Sequence, residues 1–170
     1  MTSVCLGLGS NLGDRAANLG RALKALWATP GIFPGPVSSV YLTEPVEFSS
    51  PHWFYNLVAI VRTSLSPWEL VLRTLEIERQ LGRVRKGGLK DRVVDIDILF
   101  YGEEVIRGSW LEVPHPRLHR RAFVLVPLCE LVPEWRHPLL GHTVQELLED
   151  LPEGSRVYRL GPLVAEVPGR

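Results

Sequence analysis

Cysteine is scarce in this chain: Cys5 and Cys129 are the only two among 170 residues. Two cysteines that far apart, each inside an apolar run, provide neither a disulfide framework nor a zinc-binding spacing. Both are expected to be reduced core residues. Net charge is absent too, with 19 Lys and Arg against 19 Asp and Glu. The molecule as a whole therefore does not advertise nucleic acid or an anionic membrane. Apolar runs of membrane-spanning length are missing. The opening MTSVCLGLGSN has no basic segment followed by a long apolar one, so it does not read as a signal peptide. Internal repeats and low-complexity stretches are missing as well. These absences leave an ordinary globular chain, 45% hydrophobic and 22% charged, long enough for one domain with a sizeable core. We expect a single domain over residues 1–160 and a short tail over 161–170. A cytoplasmic monomer that binds neither membrane nor nucleic acid is the corresponding expectation.

What is present is unevenly placed. Residues 79–92 hold six Arg and Lys against one Asp, and 117–121 hold three Arg and a His. The first cluster leads directly into a strand-like run from Val93 to Phe100, interrupted only by Asp95 and Asp97. Side chains alternate between the two faces of a strand. Asp95 and Asp97 thus share a face with Val93 and Leu99, while Val94, Ile96, Ile98 and Phe100 share the other. Two carboxylates on neighbouring same-face positions repel, and burial increases the cost. A hard divalent cation resolves it, and Mg²⁺ commonly takes one or two carboxylates together with substrate phosphates. Arg83, Arg85, Lys86, Lys90 and Arg92 just upstream suit those phosphates. The alternative is a solvated strand face beside a solvated basic loop.

Along the rest of the chain, Val4 to Leu8 reads as a first strand. Asp14 reads as the N-cap of a helix from about Arg15 to Ala28. The intervening turn GSNLGD lacks the spacing of a phosphate-binding loop and reads as structural. Val37 to Thr43 is expected as a second strand, entered after Pro34 and Pro36, and Phe54 to Arg62 as a third, buried on both faces. Asn56 interrupts that third strand. It is either a structural amide or the reader of a flat heterocycle's edge. Ser66-Pro67-Trp68-Glu69 is a capping box with proline at the first helical position. The helix it opens is expected to reach Leu81, with Trp68, Val71, Leu72 and Leu75 as its apolar stripe. Glu78 sits near its end, as a ligand contact or an ion-pair partner for the basic loop. Val105-Ile106 and Leu111–Val113 suggest a short hairpin. In Pro114-His115-Pro116-Arg117-Leu118-His119-Arg120-Arg121, Pro116 argues against a helical His pair binding zinc, so phosphate binding is the better reading. Pro127 is expected to open a short helix, Thr143-Val144-Gln145-Glu146 to cap another, and Arg156 to Leu160 to form a last strand. The order β-α-β-β-α-β is that of an α+β, ferredoxin-like sandwich with a C-terminal hairpin and helix extension.

Several segments together resemble one family. LGLGSNLGDR, the strand carrying Phe54 and Asn56, GRVRK, RVVDIDILFYG and VPHPRLHRRAFVLVPL are similar, in order from about Val4 to Val132, to hydroxymethyl-dihydropterin pyrophosphokinases. The resemblance implies transfer of the β,γ-pyrophosphate of ATP to the hydroxymethyl group of 6-hydroxymethyl-7,8-dihydropterin. AMP would be released, within tetrahydrofolate biosynthesis. It implies that Asp95 and Asp97 hold two Mg²⁺ ions and that Arg83 and Arg92 act on the phosphates during transfer. Glu78, Arg85, Lys86, Ile98, His115 and Arg121 would hold ATP. Thr43, Pro45, Val46, Phe54, Asn56 and Phe123 would hold the reduced pterin. Loops 44–53 and 83–92 would close over both. The chain departs from the pattern at Leu89-Lys90-Asp91, where relatives often carry Trp-Gly-Pro, and at Leu75, Trp110 and Pro116. From the residues alone, two other readings stay open. One is a nucleic-acid-binding module that uses the Arg-rich loop and stacking aromatics. The other is a metal-dependent phosphohydrolase that uses the Asp pair.

Overall fold

The computed structural model describes residues 1–82 and 91–163. Its centre is one antiparallel sheet. Strands β1 (Thr2–Ser10), β3 (Val40–Thr43), β4 (Phe54–Thr63), β5 (Asp95–Tyr101) and β8 (Val157–Gly161) run in the order β5-β1-β4-β3-β8. Strand β2 (Ile32–Val37) also pairs with β4. Helices α1 (Arg15–Trp27) and α2 (Pro67–Gln80) cover one face, and α3 (Ala122–Leu131) and α4 (Val144–Glu149) the other. Strands β6 (Ile106–Arg107) and β7 (Glu112–Val113) form the expected small hairpin. Among the described residues, no helix is long and apolar enough to cross a membrane.

The layers follow from alternation in β1. Val4, Leu6 and Leu8 point to α1 and α2, where Leu19, Ala22, Leu26, Leu70 and Ile77 meet them. Cys5 points the other way, into a second cluster with Val58, Ile60, Leu99, Phe100, Leu125 and Leu128. Gly7 and Gly9 follow Cys5 on that second face. Local signals set the helix starts. The Asp14 carboxylate accepts from Ala17 N–H, and Ser66 and Thr143 both complete their capping boxes.

Four local expectations are corrected. The strand expected over 37–43 is two strands separated by Ser38 and Ser39. Pro34 and Pro36 lie inside β2, beside a register irregularity that accommodates their missing donors. The buried line of α2 is Leu70, Thr74, Ile77 and Glu78, whereas Trp68 and Leu72 are exposed. The helix carries apolar residues on two faces, and the sheet takes the one that includes Glu78. Phe100 does not share a face with Ile96 and Ile98. A register shift between Cys5 and Leu6 turns it onto the α3 side, where it stacks on Trp135. Finally, α3 begins at Ala122, and Pro127 lies within it.

Candidate functional site

Helices α3 and α4 cover only part of the second sheet face. Beyond their edge, β1 presents Gly7 and Gly9, and the neighbouring strands carry polar groups above them. Asn56 of β4 and Asp95 of β5 both sit opposite Gly9, and Asp97 sits opposite Gly7. A Cβ on Gly9 would lie 2.4 Å from Asn56 Oδ1, so the glycine makes room for that amide. Asn56 Nδ2 donates to Thr43 Oγ1 at 2.7 Å, which orients the side chain.

The Asp pair stands as its alternation predicts. Asp97's carboxyl is pushed well above the ordinary carboxylate range by burial first, then by Asp95 and by Glu78; Arg121 opposes the shift. Asp95 Oδ2 accepts from Arg92 Nη1 at 3.2 Å, with both side chains largely shielded from water. The Arg92 guanidinium also lies over the Phe54 ring, 5.5 Å from its centroid. Asn11 fixes the backbone of Arg92 from both sides. Its Oδ1 accepts from Arg92 N–H at 2.7 Å, and its own N–H donates to the Arg92 carbonyl. Asn11 Nδ2 donates to Asp91 and to the His52 carbonyl, which ties the 44–53 loop to the same point. The turn holding Asn11 is structural, as expected, and what it structures is the site.

Two cavities meet at Asp97. The first, about 440 Å³ of space partly open to solvent, is lined by Thr43, Val46, Phe54, Asn56 and Phe123, with Asp95, Arg92 and Arg121. The second runs between α2 and the β6–β7 hairpin. It is lined by Val71, Leu75, Ile98, Trp110, Leu111, His115 and Pro116. Asp97 lines both. Burial, then Arg121, bring the His115 imidazole down to about 4, so it is neutral near pH 7. Its Nδ1 accepts from Arg117 N–H at 3.3 Å. Among the described residues no group of three His, Cys, Asp or Glu could hold a metal. A cation here would rest on the two carboxylates and on oxygens brought by a ligand.

The expected residues therefore divide. Thr43, Val46, Phe54, Asn56 and Phe123 share one cavity, and Ile98 and His115 share the other. Arg92, Asp95 and Arg121 line the first cavity, next to Asp97. Pro45 lines an adjoining depression with Ser49, Pro51 and Trp53, which shares Glu44 and Phe48 with the first cavity. Glu78 is buried and lines neither cavity; its Oε2 accepts from Ile96 N–H at 2.7 Å, beside the Asp pair. Arg83, Arg85, Lys86, Leu89 and Lys90 lie outside the described residues. Residues to which sequence reasoning gave no role of their own are Gly9, Asn11, Glu47 and Phe48; Asp91 entered only as a departure from the family pattern. Only the Leu-Gly-Leu-Gly alternation in β1 offered a signal: small residues on one face of an otherwise bulky strand mark a close approach.

The family model for 7,8-dihydro-6-hydroxymethylpterin-pyrophosphokinase matches residues 5–133. A 2-amino-4-hydroxy-6-hydroxymethyldihydropteridine pyrophosphokinase of Methylorubrum extorquens is 43% identical over 151 residues, covering 89% of this chain and 94% of its own. The Bacillus subtilis protein of the same name is 41% identical over 126 residues, 74% of this chain and 75% of its own. Among solved structures, Plasmodium falciparum HPPK-DHPS, wild type with pteroate, superposes with a TM-score of 0.71 at 15% identity. That match covers 87% of this chain and 44% of the Plasmodium protein, so it speaks for the fold alone.

Proposed function

We propose, for a chain that belongs to the 7,8-dihydro-6-hydroxymethylpterin-pyrophosphokinase family, that it transfers the β,γ-pyrophosphate of ATP to 6-hydroxymethyl-7,8-dihydropterin. AMP is the second product. The observation that carries this reading is the position of Asp97, on the wall of both cavities with Asp95 beside it. One cavity has the ring faces and amide edge that a pterin needs. The other is an open slot of mixed lining, with Val71, Leu75, Ile98 and Trp110 beside Thr74, Ser109 and a neutral His115 imidazole, which suits a nucleoside. The strand order β5-β1-β4, with β2 and β3 beyond, supports a ferredoxin-like scaffold for residues 1–160.

In this reading the pterin lies between Phe54 and Phe123, with its edge read by Asn56. Its hydroxymethyl group is directed toward the Asp pair. ATP lies against Ile98 and His115, its phosphates extending past Asp97 to Arg92 and Arg121. The hydroxyl oxygen then bonds to the β-phosphorus as the bond from that phosphorus to the α,β-bridging oxygen breaks; the bridging oxygen leaves with AMP, and the hydroxyl proton passes to solvent. Such transfer depends mostly on positioning and charge neutralisation. Asp95 and Asp97 fit two Mg²⁺ ions: both are hard oxygen donors, and Asp97's carboxyl, raised by burial first and then by Asp95 and Glu78, is one whose charged form a cation would favour. When bound, Mg²⁺ supplies charge neutralisation on the phosphates and lowers the pKa of the attacking hydroxyl. Arg92, held by Asn11 and Asp95, is placed to follow charge as it moves during transfer. Glu78 acts from behind, holding the β5 backbone at Ile96 between the two aspartates.

The test is AMP release from Mg²⁺ and ATP with and without the pterin. AMP formed only with the pterin is the expected result. ADP, or hydrolysis that ignores the pterin, would replace this reading with a kinase or phosphohydrolase.

A further inference from the structure

The apex of the 44–53 loop carries a charge that the proposed reaction does not use. Glu47 has φ 75, a left-handed conformation that a residue with a Cβ adopts only at a cost. It is held there by two guanidinium groups. Arg117 Nη1 donates to Glu47 Oε2 at 2.7 Å, and Arg121 Nη2 donates to the same oxygen at 3.1 Å and to Oε1 at 3.4 Å. Arg121 is only 11% exposed, whereas Glu47 and Arg117 are open to water on their outer side. Yet the carboxylate does not fill its seat. Arg121 Nε is buried and has no acceptor among the described residues. Two oxygens serve the terminal nitrogens and leave the third donor unmet, an arrangement that a phosphate, with three outward oxygens, would complete.

We propose that Glu47 is an internal anion that occupies the Arg117–Arg121 seat and must be displaced before nucleotide phosphates bind there. This rests on the reading that Arg121 faces the phosphates of ATP. The neck of the loop is secured independently of Glu47. Glu44 accepts from Arg156 N–H, Ser50 donates to Asp91, and the His52 carbonyl accepts from Asn11. Displacing Glu47 therefore releases the apex, next to Val46 and Phe48 of the first cavity, without unfolding the loop.

Competition of this kind has a distinct signature. The seat is available only in the fraction of molecules whose Glu47 is off it, so every ligand that needs the seat is weakened by the same factor. A ligand that does not need it is unaffected. The probes are inorganic triphosphate, a non-hydrolysable ATP analogue and adenosine. They are titrated calorimetrically into the intact protein and into Glu47→Gln and Glu47→Gly. Both variants are expected to bind triphosphate and the ATP analogue tighter by one common factor of about tenfold, equivalent to about 1.4 kcal/mol. Adenosine affinity stays constant. A merely structural Glu47 would give the opposite sign, looser binding in a folded variant. Unchanged or weaker triphosphate binding, or equal tightening for adenosine, overturns the proposal. Melting curves of each variant show that the protein measured is folded. The triphosphate titration needs no pterin. Tightening without pterin-dependent AMP release would leave Glu47's role standing and remove the pyrophosphokinase reading. AMP release without tightening would do the reverse.

Discussion

One face of the central sheet has two halves, built from the same strands to opposite ends. Under α3 and α4 it carries Cys5, Val58, Ile60, Leu99 and Phe100, all shielded from water. Two to four residues further along β1, β4 and β5 the same face carries Gly9, Asn56, Asp95 and Asp97, which only the first turn of α3, at Phe123, borders. The boundary falls within β5, between Asp97 and Leu99, two positions apart on one side of one strand. The covered half is stabilised by its contents. The open half is not: two carboxylates repel and an arginine nitrogen lacks an acceptor among the described residues. Such a half is stable only because the covered half and the α1–α2 layer hold its backbone in place.

The largest effect should come from removing a carboxylate. Asp95→Ala or Asp97→Ala is expected to slow pterin-dependent AMP release by about 10³-fold or more, on the scale of losing preorganised charge at a transferring phosphoryl group. The melting midpoint should hold or rise, because a repulsion has been removed. Full activity in either variant would sink the assignment of this face to the reaction. In the covered half, Phe100→Ala should do the reverse. Phe100 is fully buried and stacks on Trp135 at 5.6 Å. Its truncation should cost about 3–5 kcal/mol in denaturant unfolding. AMP release per folded molecule should stay within about twofold. A variant that lost both in proportion would show that the halves are not separable.

Acid should distinguish the halves next. His115 is held at about 4 in the fold, below the ordinary imidazole value of 6.5. The unfolded chain therefore takes up the proton first. Stability from the neutral ring is fully present above about pH 6.5 and is lost as pH falls from there to about 4. Arg121 and Arg117 oppose its charging, while Asp95 and Glu47 favour it. The raised Asp97 carboxyl gives the opposite slope in acid, so the informative quantity is wild type minus His115→Asn. That difference should shrink by up to about 3 kcal/mol across the interval. A flat difference would mean that the ring is solvated in the fold.

Sequence showed the open half better than the covered one, for a physical reason. Asp95 and Asp97 announce themselves through period-two alternation, and Asp14, Ser66 and Thr143 through capping, which acts over three residues. The corrections to Phe100 and to α2 depend on distant partners. Phe100 changes face because β1 is irregular at Cys5 and Leu6, some ninety-five residues earlier. Helix α2 has two apolar lines at helical spacing, and only the sheet decides between them. Glu47 depends on Arg117 and Arg121, seventy and seventy-four residues away, and nothing around it predicts a left-handed backbone. The resemblance of ordered motifs carried the pterin residues, of which Pro45 alone does not line the first cavity.

The smallest effect, and the sharpest, comes from the two glycines along β1. Gly7 lies at the boundary and Gly9 within the open half. A Cβ on Gly7 would meet Leu99 Cδ1 at 3.3 Å, a contact that a flexible side chain relieves by a small shift. A Cβ on Gly9 would meet Asn56 Oδ1 at 2.4 Å, so the amide must turn away from its place beside Thr43. Neither change meets backbone, and alanine costs less conformational entropy than glycine in a strand. Both variants should thus keep stability within about 1 kcal/mol of wild type. Gly9→Ala should raise the KM for the pterin by about tenfold, the range for one misplaced hydrogen-bonding group, and leave the KM for ATP unchanged. Gly7→Ala should leave the pterin KM within about twofold. Equal effects at the two positions would mean that the glycines serve only the sheet and that Asn56 reads nothing.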